Sequence, residues 1–162
     1  MEPVMLDDRP IPRRTMLGIL VALGAGVSMT GGWRRAAPIP ITVYKDPACQ
    51  CCTKWVAHLA SNGFAPVTHD RSDMDDVKNT MGIPVALRSC HTAIVGSMLL
   101  EGHVPASDIK RALTTSRRQV FGLAVPGMPA GSPGMEGAGR RDRYNVIAFT
   151  TAGVTSVFAA HS

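Results

Sequence analysis

The sequence predicts an α/β protein, a mixed sheet flanked by helices, on three observations. Short β-prone runs alternate with segments whose apolar residues recur at helical spacing. Gly-Pro-Asn punctuation marks most of the changeovers. One changeover, Gly96-Ser97, has the form of a two-residue hairpin turn with Gly first. At 162 residues, 45% hydrophobic and 18% charged, the chain suits one domain and is no collagen, coiled coil or wholly disordered polymer.

Taken in order, residues 40–44 (Pro-Ile-Thr-Val-Tyr) form the first strand. A helix starts near Cys51, with Cys52, Trp55, Val56, Leu59 and Ala60 on one stripe, and Asn62-Gly63 ends it. Residues 64–69 form a second strand, which Pro66 assigns to an edge or a strand start. Ser72-Asp73 caps a second helix whose first turn carries Asp75 and Asp76, whose inner face is Met74, Val77 and Met81, and which Gly82 stops. After an irregular stretch to Ser89, residues 90–95 and 98–101 form the hairpin, and Pro105 opens a third helix running to about Thr114 with Ile109, Ala112 and Leu113 inward. Residues 122–139 read as a Gly/Pro loop, and residues 144–150 and 154–158 as a terminal hairpin around Ala152-Gly153. The order β-α-β-α-β-β-α is thioredoxin-like, because parallel crossovers lay their helices on the faces of the sheet. The C-terminal β-hairpin is an addition to it.

Residues 1–37 differ in character from the rest. Arg13-Arg14 precedes residues 16–29, an uncharged and largely apolar run of 14 residues. That order reads as an export signal of the twin-arginine type, with Pro12 and Gly18 as departures from the usual pattern. The run is shorter than the roughly 18–20 residues that span a bilayer, so a membrane partner is expected only if the signal is retained. No clean small-x-small cleavage site precedes Ala37. The expected division is therefore 1–37 signal and 38–162 mature thioredoxin-like domain, with a periplasmic location of the Gram-negative type. The net charge of +5 falls to +3 once the signal is set aside. Arg117-Arg118 and Arg140-Arg141 with Arg143 have no interleaved aromatic residues and read as solvated faces, so no nucleic-acid partner is expected.

Four cysteines are too few for a disulfide scaffold, and three of them crowd into Cys49-Gln50-Cys51-Cys52. They lie where the first strand passes into the first helix, where unpaired N–H groups and the helix dipole favour thiolate. A dithiol enzyme needs one attacking and one resolving cysteine, and a third thiol between them invites scrambling. A single tetrahedral zinc ion suits ligands two to four residues apart, which adjacent Cys51 and Cys52 are not. Crowded thiolates suit Cu(I), which is soft and lets one sulfur bridge two ions, so several ions per chain are expected. Cys90 starts the third strand, which in such a fold faces the start of the first helix, with His91 beside it as a candidate ligand. Met128 and Met135 are candidate thioether ligands on the loop. His103 reads as an ordinary loop histidine, Trp55 as core, and His58 and His69 as residues without a partner visible in sequence.

The runs Tyr44-Lys45-Asp46-Pro47-Ala48-Cys49-Gln50-Cys51-Cys52, Ser89-Cys90-His91-Thr92-Ala93, Glu101-Gly102-His103-Val104-Pro105 and Pro126-Gly127-Met128-Pro129 through Gly134-Met135 resemble, in this order, the metal-binding family called domain of unknown function 411. That family includes the periplasmic copper-resistance CopG type. The resemblance extends over about residues 41–158, with Gln50 where the family often has Gly. It implies a thioredoxin-like fold that binds copper through Cys49, Cys51, Cys52 and Cys90, with redox interconversion of the bound metal and other periplasmic copper-handling proteins as partners. The expectation is an exported copper(I)-binding protein of copper homeostasis or resistance. The alternative is a thiol-disulfide oxidoreductase in which Cys49 attacks and Cys52 resolves.

Overall fold

In the computed structural model, which describes residues 36–115, 120–137, 139 and 141–162, β1 (Ile39–Lys45) buries Ile41 and Val43 on one face and runs into the turn that starts α1 (Gln50–Ser61). The expected export segment lies outside the described residues but for its last two positions, as do Arg117, Arg118 and Arg140 of the basic clusters. The stripe of α1 is Cys52, Trp55 and Leu59, all buried, and Asn62-Gly63 ends the helix with Gly63 at φ +81°. β2 (Phe64–Asp70) follows as an edge strand, parallel to β1, with four exposed residues at its end. α2 (Met74–Thr80) carries Asp75 and Asp76 in its first turn, and it buries Lys78 together with Val77. Lys78 is not on the inner face expected from the sequence, and its buried ion-pair partner, Glu101, explains how a lysine stays there.

A short 3-10 turn (Val85–Leu87) leads to β3 (His91–Val95), which turns at Gly96-Ser97 into β4 (Met98–Glu101). All four residues of β4 are buried, so this strand is central to the sheet. Pro105 precedes α3 (Ala106–Thr114) as its cap rather than as its first residue. The His58 ring on α1 accepts the N–H of Ala106, which supplies one first-turn amide of α3 with a partner.

The loop expected at residues 122–139 is not all loop. Gly122–Ala124 form β5, parallel to β4 and antiparallel to β6 (Tyr144–Phe149), which pairs in turn with β7 (Thr155–His161). The result is one seven-stranded mixed sheet in the order β2-β1-β3-β4-β5-β6-β7. Alternation along the strands supplies both faces. Leu100, Leu123 and Val43 join Trp55, Leu59 and Ile109 in the larger core, whereas Leu99, Ala124 and Phe149 join Ile83 and Leu87 in the smaller one. Among the described residues no helix is long and apolar enough to cross a membrane.

Candidate metal centre

The centre forms at the end of the sheet where β1 runs out and α1 begins. Cys49 is the N-cap of α1, and its Sγ accepts the N–H of Cys52 at 3.3 Å. Three residues of helix bring Cys49 and Cys52 to one side, where they are joined as a disulfide. Cys51 is a half-buried free thiol with its Sγ 3.5 Å from that of Cys49. Antiparallel pairing sets His91 opposite Lys45, so the residue before His91 arrives at the end of β1. That residue is Cys90, just ahead of β3 rather than inside it, and also a free thiol. The four sulfurs, three from one tetrapeptide and the fourth from the approach to β3, all lie within 4.8 Å of one another.

Two imidazoles close the other side of Cys90. His91 Nδ1 is 3.1 Å and His103 Nε2 is 3.0 Å from its Sγ. His103 reaches the centre because Gly102, at φ +70°, turns the chain sharply after β4. A Cβ at Gly102 would lie 2.6 Å from Ser89 Oγ and from the Val125 carbonyl, so both the turn and the close approach require glycine. His103 Nδ1 lies 2.7 Å from the Pro133 carbonyl, which only accepts, so Nδ1 carries the proton and the Nε2 lone pair faces Cys90. Burial lowers the pKa of both rings, well below the usual value for His91, which also feels His103 and Lys78. They are therefore neutral, the form that binds metal. His91 packs under Trp55 with ring centroids 4.3 Å apart, and its buried Nε2 has no hydrogen-bond partner among the described residues.

Cys90 has the opposite electrostatic problem. Burial, and then the neighbouring Cys51, pushes its thiol up to about 12, so at neutral pH it holds its proton until a metal displaces it. Cys49 and Cys52, being joined, have no thiol to titrate in this state.

The loop after β5 covers the start of α1. Gly134, at φ +86°, is so close that a Cβ would sit 2.8 Å from the Cys51 carbonyl and from the Trp55 nitrogen. Met135 follows, half-buried, whereas Met128 is 55% exposed. Of the residues singled out in sequence, Cys49, Cys51, Cys52, Cys90 and His91 come together, while Met128 stands at the loop surface. His103 is the residue that sequence reasoning passed over. Thiols and neutral imidazoles make a soft-to-borderline donor set that suits copper or zinc, and the nitrogens that face Cys90 are His91 Nδ1 and His103 Nε2.

Comparison with known proteins agrees with this chemistry. The family model described as "Protein of unknown function, DUF411" matches residues 87–135, which hold Cys90, His91, His103, Met128 and Met135. No curated protein matches the chain. A solved structure entitled "Copper resistance protein copG- Form 2" is 44% identical, with a TM-score of 0.74, over 77% of this chain and 99% of the other. A second, "Copper resistance protein copG- Form 1", is also 44% identical, with a TM-score of 0.72, over 76% of this chain and 98% of the other. With that identity over nearly the whole length of both structures, and with Cys90, His91 and His103 in the segment the family model matches, the chain belongs to the DUF411 family of CopG-type copper resistance proteins.

Proposed function

We propose that this is an exported copper(I)-binding protein of copper homeostasis or resistance, acting in the periplasm after a twin-arginine signal at about residues 1–37 is used. Residues 38–162 are then a thioredoxin-like metal-binding domain, a reading supported by the order β2-β1-β3-β4 and by the position of the cysteines at the start of α1. Cys49, Cys51, Cys52 and Cys90 are the thiolate ligands, His91 and His103 extend the site on the Cys90 side, and Met135 and Met128 are loop ligands. The observation that carries the reading is the convergence of four sulfurs within 4.8 Å with two neutral imidazoles on one of them. Crowded thiolates bridge soft ions, so more than one Cu(I) per chain is expected. The Cys49–Cys52 disulfide must first accept two electrons and two protons, after which both sulfurs are free to bind.

The test is a titration of the reduced protein with Cu(I) against a competing chelator, repeated on the oxidised protein. Several ions bound only after reduction support the reading. One tightly held Zn(II) with no preference for copper, or equal Cu(I) affinity in both redox states, overturns it. The Cys49–Cys52 disulfide at a helix N-terminus favours a second reading, thiol-disulfide exchange with Cys49 as the attacked or attacking sulfur. Sustained reduction of insulin by catalytic amounts of protein would promote that reading.

A further inference from the structure

Directly behind Cys90 and His91 lies a buried charged cluster that is not part of the donor set. Glu101, at the end of β4, is fully buried, and Lys78 of α2 is 3% exposed. The Lys78 ammonium donates to Glu101 Oε1 at 2.7 Å and to Thr92 Oγ1 at 3.0 Å, and the Thr92 hydroxyl donates to Glu101 Oε2 at 2.6 Å. Thr92 and Glu101 are direct cross-strand partners, so the cluster is built into the β3–β4 ladder. Glu101 Oε1 accepts one more bond, from the backbone N–H of Ser89 at 2.6 Å.

A buried ion pair is a poor way to gain stability, because the desolvation of two charges offsets their attraction and apolar replacements are often as stable. This one has a specific reach. Ser89 immediately precedes Cys90, outside the regular ladder of β3, and a fixed amide there sets the direction in which the Cys90 side chain leaves the backbone. A carboxylate acceptor makes the bond strong and short, while Lys78 and Thr92 fix the carboxylate.

We propose that Glu101, held by Lys78 and Thr92, is a positioning residue that sets the Cys90 thiol against Cys51 by binding the Ser89 N–H. The copper arm of its test rests on the function proposed above; the positioning itself does not. Outer partners that orient a ligand typically account for about 10–100-fold in metal affinity.

The test uses the full chain and two readouts. The first needs no metal: the rate at which a short bis-alkylating reagent bridges Cys51 and Cys90 in the Cys49→Ser/Cys52→Ser background. The second is Cu(I) affinity with all four cysteines present. Lys78→Met/Thr92→Val/Glu101→Leu removes the acceptor without leaving a buried charge, and it should slow bridging at least tenfold and weaken Cu(I) binding by about 10–100-fold. Lys78→Met/Glu101→Gln keeps an acceptor for Ser89 and should restore both. Independently, Ser89→Pro deletes the N–H together with the hydroxyl's bond to the Gly127 carbonyl, which Ser89→Ala deletes by itself, at a site where Arg88, at ψ 141°, already has the conformation a following proline demands. It should behave like the apolar triple variant, and Ser89→Ala like wild type.

Wild-type bridging and affinity in the folded triple variant, or in Ser89→Pro, would overturn the proposal. So would fast hydrogen exchange at the Ser89 amide of the unmodified protein, which decides the matter if neither variant folds. Should wild type bind no copper while bridging still depends on Glu101, the proposed function fails and the positioning role stands. If copper binds and neither readout responds to Glu101, only the positioning role fails.

Discussion

Cys90 joins the two halves of the donor set, since its sulfur lies within 4.8 Å of three other sulfurs and about 3 Å from two imidazole nitrogens. Serine in its place is nearly isosteric but a poor partner for Cu(I). Cys90→Ser should therefore weaken Cu(I) binding at least tenfold while the far-UV spectrum and any insulin reduction by Cys49 and Cys52 stay unchanged. Unchanged affinity in a chelator competition would remove Cys90 from the site. His91 supports a second prediction at this scale. Its buried ring resists protonation, whereas an unfolded histidine takes a proton near pH 6.5. Below that pH the unfolded chain binds the extra proton, so acid lowers the stability of the metal-free protein, and above it this contribution is flat. His91→Phe should flatten the fall in stability between pH 6.5 and 5 by at most about 1.4 kcal/mol per pH unit, read from urea unfolding. An identical slope would show that His91 does not stay neutral. The cysteines were legible in sequence because three thiols within four residues have few innocent explanations. His103 was not, because its meaning depends on Gly102 turning the chain back toward Ser89, and no local spacing reports that close approach.

At the scale of the elements, α1, β3 and the loop over residues 125–137 each contribute one wall of the centre. The helices were legible because their apolar stripes and stops are local: Trp55 and Leu59 before Asn62-Gly63, and Ile109 and Ala112 after Pro105. β5 was hidden because three residues, Gly122-Leu123-Ala124, have no detectable period; their strand conformation comes from pairing with β4 on one side and β6 on the other. The covering loop depends on Gly134, where a side chain would meet the Cys51 carbonyl and the Trp55 nitrogen. Gly134→Val should lift the loop and break the bond from His103 Nδ1 to the Pro133 carbonyl. The combined overpacking and positive-φ strain should cost about 1–3 kcal/mol. Thermal unfolding should register that loss, and Cu(I) should dissociate faster from the variant than from wild type. A variant with native stability and native copper off-rate would show that the loop is not seated on α1 as described.

For the molecule as a whole, the proposed metal centre sits where chain segments distant in sequence meet, so metal bound there would be coupled to folding. Cys49 and Cys52 are three residues apart and constrain only one helical turn, whereas Cys90 and His103 come from the hairpin and its exit. The disulfide therefore ties the site to itself, while a metal ion shared with Cys90 would tie α1 to the central strands. A ligand that binds only the folded state stabilises it by about 2.7 kcal/mol at one hundred times its dissociation constant. For a domain of this size each kcal/mol moves the unfolding temperature by roughly 4 °C. Reduced protein in a buffered Cu(I) solution at that excess should thus unfold about 10 °C higher than reduced, metal-free protein. The oxidised protein, with two of its four sulfurs joined, should gain far less from the same buffer. Cys90→Ser should lose most of the gain even if the three cysteines of α1 still take up copper, because those three hold metal within one element. An equal copper-induced shift in Cys90→Ser and wild type would mean that the metal is held by the first turn of α1 alone and does not bridge the fold.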